Sequence, residues 1–113
     1  MTSGEAVERH GSMVRLRADH EAEYVRLHAE VWPEVLQQIR ASGIRNYTIF
    51  LRDGLLFSYY EYVGDDHARD MAAMAADPVT QDWWRLTDPC QQPVDTAEPG
   101  ELWAPLRQVF HAD

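Results

Sequence analysis

The 113-residue chain has a single cysteine, Cys90. A lone thiol excludes an intrachain disulfide and fits a reducing compartment, so a cytoplasmic location is expected. No apolar run approaches the length of a membrane span. Residues 1–8 contain no apolar core of a secretory signal and read as a frayed tail ahead of a single domain over residues 9–113. Positive charge is scarce. Lys and Arg number 10 against 19 Asp and Glu, a net charge of −9, which leaves no basic footprint for nucleic acid or an anionic membrane. There is no glycine-rich phosphate loop and no G-x-S-x-G elbow. None of the five histidines, His10, His20, His28, His67 and His111, stands at a recognised ligand spacing, so no metal site is expected. What remains is the composition of an ordinary globular domain, 45% hydrophobic and 26% charged, long enough for one core.

The elements follow from local signals. Arg9–Arg17, with Met13, Val14 and Leu16, reads as a first strand. Asp19 stands where an N-cap belongs, Glu21 and Glu23 suit a first turn, and the helix is expected to run to about Ala41 with an interruption at Pro33. Gly43 fits a left-handed C-cap. Asn46–Leu51 and Leu55–Tyr62 are aromatic and β-branched runs joined across Asp53-Gly54, a hairpin signal. Their alternation sets Tyr47, Ile49 and Leu51 on one face and Asn46, Thr48 and Phe50 on the other. Tyr59, Tyr60 and Tyr62 read as sheet surface. Asp65 or Asp66 caps a helix through Ala76, carrying Met71 and Met74, and Asp77 caps another with Pro78 at its first position. Pro89–Gly100 reads as a loop or lid, and Leu102–His111, with Leu106, Val109 and Phe110, as the last strand. The order β-α-β-β-α-β is that of a ferredoxin-like α+β fold, an antiparallel sheet with helices on one face. Apolar side chains on both sheet faces call for a second cover, and a chain of this length points to a partner copy, hence a homodimer.

The chemistry concentrates on the first helix. At about 100° per residue, Tyr24, Leu27, His28, Val31, Val35 and Ile39 fall on one side. A histidine on such a stripe is either a hydrogen-bonded core residue or a proton-transfer group in a pocket. Tyr24 adds a hydroxyl and Trp32 an indole N–H, and an aromatic-walled, hydroxyl-bearing pocket suits a sugar. Trp83 and Trp84 cannot share one helix face, so one packs inward and the other is free to line a pocket, or both pack. Tyr47 either packs on the sheet or aims its hydroxyl at the cavity under His28. Glu30 and Glu34 read as a solvated helix face, Glu61 as a carboxylate of open role, and Cys90 as a small structural residue.

The run Tyr24-x-x-x-His28-x-x-x-Trp32-Pro33-Glu34, followed by Asn46-Tyr47-x-Ile49, Trp83-Trp84 and Val109-Phe110-His111, resembles the L-rhamnose mutarotase family over residues 9–112. The resemblance implies a dimeric ferredoxin-like fold, no cofactor, and interconversion of the α and β anomers of L-rhamnose or a related 6-deoxy sugar. It sets the proton donor on His28 and the sugar contacts on Tyr24, Tyr47, Trp83 and Trp84. Ring opening also needs a base, for which a pocket carboxylate, a tyrosine and water all remain open. The rival readings are a small cofactor-free or haem-linked monooxygenase of the same fold, or a sugar-binding module without catalysis.

Overall fold

In the computed structural model, residues 7–113 are described; of the tail expected over residues 1–8, residues 1–6 lie outside them. Strand β1, Glu8–Leu16, begins one residue before its expected start. It is the centre of the sheet. β3, Leu55–Tyr62, pairs antiparallel along one edge of β1, and β2, Ile44–Arg52, pairs antiparallel with β3. The other edge of β1 is shared by two short segments: β4, Gln91–Gln92, opposite Arg15 and Leu16, and β5, Ala104–Leu106, opposite Gly11 to Met13. The order β2-β3-β1-β4 is the ferredoxin-like arrangement expected from the sequence.

The β2–β3 hairpin turns at Asp53 and Gly54, whose φ values of 52° and 72° are both left-handed, the conformation that Asp-Gly supplies most readily. Asn46 is also left-handed, at φ 52°, and a register shift lies between Arg45 and Thr48. This bulge reverses the side-chain parity of β2. Ile44 faces the helices before it, and Tyr47 and Ile49 face them after it.

The expected long helix is two helices. α1 spans Glu21–Ala29 and α2 spans Pro33–Ala41. The Pro33 ring disfavours helical backbone at the residue before it, and Trp32 is extended at φ −61° and ψ 136°. Asp19 is not the cap: it sits in a 3-10 turn, Ala18–His20, and accepts a hydrogen bond from His20 Nδ1 at 3.0 Å. α3, His67–Ala76, starts at Asp66, whose carboxylate accepts from the Arg69 N–H. α4, Pro78–Thr87, is capped by Asp77, which accepts from both the N–H and the hydroxyl of Thr80.

Three further expectations are corrected. The last strand is confined to Ala104–Leu106, and Val109 and Phe110 are 81% and 80% exposed. Pro105 within it limits the ladder, and among the described residues no strand pairs with those beyond Leu106. The first part of the Pro89–Gly100 segment is ordered: Asp88–Cys90 form a 3-10 turn and Gln91–Gln92 a strand, with Cys90 and Gln91 buried. Tyr60 and Tyr62 are not outer sheet surface but point to the helices. Tyr62 is 1% exposed and its hydroxyl donates to Asp70 Oδ2 on α3.

All helices cover one sheet face, where two apolar clusters form. Val14, Leu16, Tyr24, Leu56 and Cys90 make the first. Leu27, Val35 and Trp83 make the second, with Val31, Trp32 and Trp84 against it. Each fully buried aliphatic contributes about 1.5–3 kcal/mol relative to exposure. The opposite sheet face carries Met13, Phe57 and a Phe50 that is 62% exposed. Among the described residues no helix is long and apolar enough to cross a membrane.

Candidate active site

His28 lies between the two clusters. Its ring stacks on Tyr24 of the first, with centroids 4.1 Å apart, and meets Trp83 of the second edge-on at 5.4 Å. The register of α1 fixes its chemistry as well as its place. His28 Nδ1 is 2.8 Å from the carbonyl oxygen of Tyr24, one turn back. A carbonyl only accepts, so Nδ1 carries the proton and Nε2 is the nitrogen left for exchange.

Around His28 opens a cleft of about 290 Å³, lined also by Tyr24, Tyr47, Trp83, Trp84, Asp88 and Gln91. It continues into a wider groove of about 940 Å³ between α2 and β2, with His28, Tyr47, Ile49, Trp83 and Trp84 common to both. The five residues singled out from sequence, His28, Tyr24, Tyr47, Trp83 and Trp84, therefore meet in one cavity. They come from α1, β2 and α4, and the Asn46 bulge is what turns Tyr47 towards it.

The tryptophans divide as their spacing demands. Trp83 is 5% exposed and packs into the core, while Trp84, half-buried, forms the outer wall. Trp32 does not offer its indole to the cleft; it packs edge-on against Trp83 at 5.3 Å.

Both cleft tyrosines are held protonated. Burial, reinforced by nearby Tyr47, pushes the Tyr24 hydroxyl far above its ordinary value of 10, despite a hydrogen bond from Gln91 Nε2 at 3.4 Å. Tyr47 is 45% exposed as a residue, yet desolvation, reinforced by nearby Tyr60, raises its hydroxyl to about 12. At neutral pH both are neutral hydroxyls that donate and accept hydrogen bonds.

Sequence reasoning passes over Asp88, at the end of the helical segment, and Gln91, in the segment that reads as loop. Asp88 is exposed at the edge of the cleft, and desolvation by the protein around it raises its carboxyl above its ordinary value. Gln91 is buried, and its Oε1 lacks a hydrogen-bond partner. The acidic residue just ahead of that segment, following the Trp pair, is the available signal. Glu61 is occupied: Asn46 and Tyr59 donate to its two oxygens at 2.9 and 2.8 Å, which holds it charged. Glu30 and Glu34 are exposed, and Cys90 is buried with its thiol donating to the Leu86 carbonyl at 3.5 Å.

The fold and cleft define a ferredoxin-like α+β domain with a histidine-centred pocket walled by aromatic rings and hydroxyls. Tetracenomycin F2 cyclase from Streptomyces glaucescens has the same fold, with TM-score 0.66 and 17% identity, covering 94% of this chain and 99% of that one. So does an L-rhamnose mutarotase from Formosa agariphila, with TM-score 0.73 and 23% identity, covering 94% and 99%. At these identities the likeness speaks to fold alone. Sequence goes further. Residues 9–112 match the family model for L-rhamnose mutarotase. The L-rhamnose mutarotase of Opitutus terrae is 38% identical over 103 residues, 89% of this chain and 94% of that protein. The chain belongs to the L-rhamnose mutarotase family, a family of isomerases.

Proposed function

We propose that this protein interconverts the α and β anomers of L-rhamnose, or of a closely related 6-deoxy sugar, with His28 as the proton donor. The observation that carries this reading is the state of the His28 ring: Nδ1 is committed to the Tyr24 carbonyl, and Nε2 is left for the cleft. Protonated Nε2 gives its proton to the ring oxygen as the C1–O5 bond opens. The neutral ring that results has its remaining proton already fixed on Nδ1, so the same nitrogen takes the proton back on reclosure without a change of tautomer. Between the two steps the free aldehyde rotates about C1–C2. Tyr24 and Tyr47, as neutral hydroxyls, orient the sugar, and the outer ring of Trp84 supplies an apolar wall for its C–H groups. No step draws on a cofactor. A tyrosinate base is disfavoured by the burial of both phenols.

The working unit of this reading is a cytoplasmic homodimer. Phe50, Phe57 and Met13 lie on the sheet face without helices, and a second copy would cover them. Sedimentation at micromolar concentration is expected to give a dimer, and Phe50→Arg to shift it towards monomer; a monomeric wild type would overturn the pairing. For the activity, saturation-transfer NMR on L-rhamnose should give faster exchange between the anomeric signals with the protein than in buffer. Unchanged exchange across 6-deoxy sugars would refute the reading and leave a binding module.

A further inference from the structure

We propose that Asp88 is the proton acceptor that works opposite His28, its carboxylate taking the proton of the anomeric hydroxyl. The assignment rests on the mutarotase reading of the cleft and adds the group that reading lacks, since ring opening needs a base as well as an acid.

Elimination comes first. The two tyrosines keep their protons. Glu61 has both oxygens engaged by Asn46 and Tyr59. Asp88 lines the cleft beside His28, and among the described residues its carboxylate makes no hydrogen bond or ion pair. Asp88 is the C-cap of α4, where the last carbonyls of the helix concentrate partial negative charge and a cation is the stabilising partner. Asp88 is exposed as a residue, yet desolvation by the protein around it raises its carboxyl above its ordinary value. The raised affinity for a proton that results is what a base requires.

A residue on the following turn gives an independent sign of a ligand. Gln91 uses its Nε2 on the Tyr24 hydroxyl and leaves Oε1 buried without a donor. An acceptor in that state at a cleft wall is complementary to a hydroxyl-rich molecule. The turn after α4 therefore brings to the cleft one free carboxylate and one unpaired amide oxygen.

The step balances without a further reactant. His28 Nε2–H transfers its proton to O5, and the C1–O5 electron pair goes to O5. The O1–H proton moves to Asp88, and the released O–H pair forms the C1=O1 double bond of the aldehyde. After rotation about C1–C2 the O5 hydroxyl attacks either face of C1, returns its proton to His28, and O1 recovers its proton from Asp88. No atom is oxidised or reduced.

The test uses the full chain carrying Asp88→Asn or Asp88→Ala, beside wild type and His28→Asn, with L-rhamnose anomer exchange read by saturation-transfer NMR. Asp88→Asn is expected to lower the exchange rate about 10²–10⁴-fold, with sugar affinity and thermal midpoint near those of wild type. The acid limb of the pH–rate profile should disappear with it. Added formate should restore part of the rate to Asp88→Ala and none to His28→Asn. Wild-type exchange in Asp88→Asn, or an unchanged acid limb, overturns the assignment while the mutarotase reading stands. A wild type that does not accelerate exchange overturns both.

Discussion

Two histidines sit among aromatic rings on the helix side of the same sheet, and they are bonded through different ring nitrogens. His67, the first residue of α3, stacks on His10 with centroids 4.3 Å apart and meets Tyr62 edge-on at 5.0 Å. Its Nε2 is hydrogen-bonded to the Tyr60 hydroxyl at 2.7 Å, and His10 in turn is tied to Glu8 at 3.0 Å. Burial first, and then the proximity of His10, lower its affinity for a proton. His28 has the same kind of aromatic surroundings, but its bonded nitrogen is Nδ1, and its Nε2 is left for a cavity. The difference shows that aromatic company does not make a histidine a site. What separates the two is which nitrogen a neighbouring group engages, the α1 carbonyl for His28 and a β3 tyrosine for His67, and whether Nε2 is left facing a cavity.

The largest effect expected from this contrast falls on His28→Asn. The side chain keeps polar reach but loses proton exchange near neutral pH, so exchange per folded molecule should fall by about 10²–10⁴-fold. The melting temperature should stay within a few degrees and sugar should still bind. A stable variant that keeps most of its rate would erase the distinction between the two histidines. Tyr24→Phe should do less, because it removes an orienting hydroxyl and leaves the Tyr24 carbonyl that fixes Nδ1.

Half of this contrast is legible in the amino-acid sequence. Local signals carry well: Leu55–Tyr62 is a strand with those bounds, Asp53-Gly54 turns the hairpin, and Asp77-Pro78 starts α4. Each depends on a few neighbouring residues whose backbone preferences act alone. Helical spacing sets Tyr24 one turn from His28, and the Trp pair is readable as one ring in and one ring out. Features that depend on long-range pairing are not readable. Gln91–Gln92 is a strand solely because β1 offers an open edge there, and Leu102–His111 shortens because β5 meets β1 over three residues. The His67–His10 stack needs β1 and α3, far apart in the chain, to meet in one register, and Asp88 enters the cleft through the angle at which α4 ends. Neither leaves a local pattern.

The aromatic wall allows a second cut through the comparison. Trp83 touches both the His28 ring and Trp32 and is almost fully buried, whereas Trp84 faces the cleft from its rim. Trp83→Ala should lower unfolding free energy by about 3–5 kcal/mol, the range for a buried large aromatic. Trp84→Ala should leave stability nearly unchanged and raise KM more than it lowers kcat. Chemical denaturation and NMR kinetics on both variants check this. If Trp84→Ala is the strongly destabilised one, the assignment of inner and outer rings is inverted.

The smallest expected effect concerns His67 and the pH dependence of stability. The groups facing its ring are His10 and Glu8 on β1, Tyr60 and Tyr62 on β3, and Asp70 on its own helix. Glu8 and Asp70 favour its proton, but burial and His10 outweigh them, so the folded value lies below the ordinary 6.5. Between the folded and unfolded values the unfolded chain binds more protons, and stability then rises with pH. The contribution is present above about pH 6.5 and is lost as pH falls through that value towards the folded one. His67→Gln keeps a polar side chain that does not titrate. Its melting temperature should decline less than that of wild type between about pH 7 and pH 5, with His20, His28 and His111 cancelling in the difference and His10 losing its charged neighbour. Its anomer exchange at neutral pH should equal that of wild type. Parallel melting curves would mean that the His10 stack leaves His67 unperturbed. A fall in exchange would mean that the Tyr60–Tyr47 contact, 5.9 Å between centroids, couples the two histidines through β3 and β2 and that they are one system.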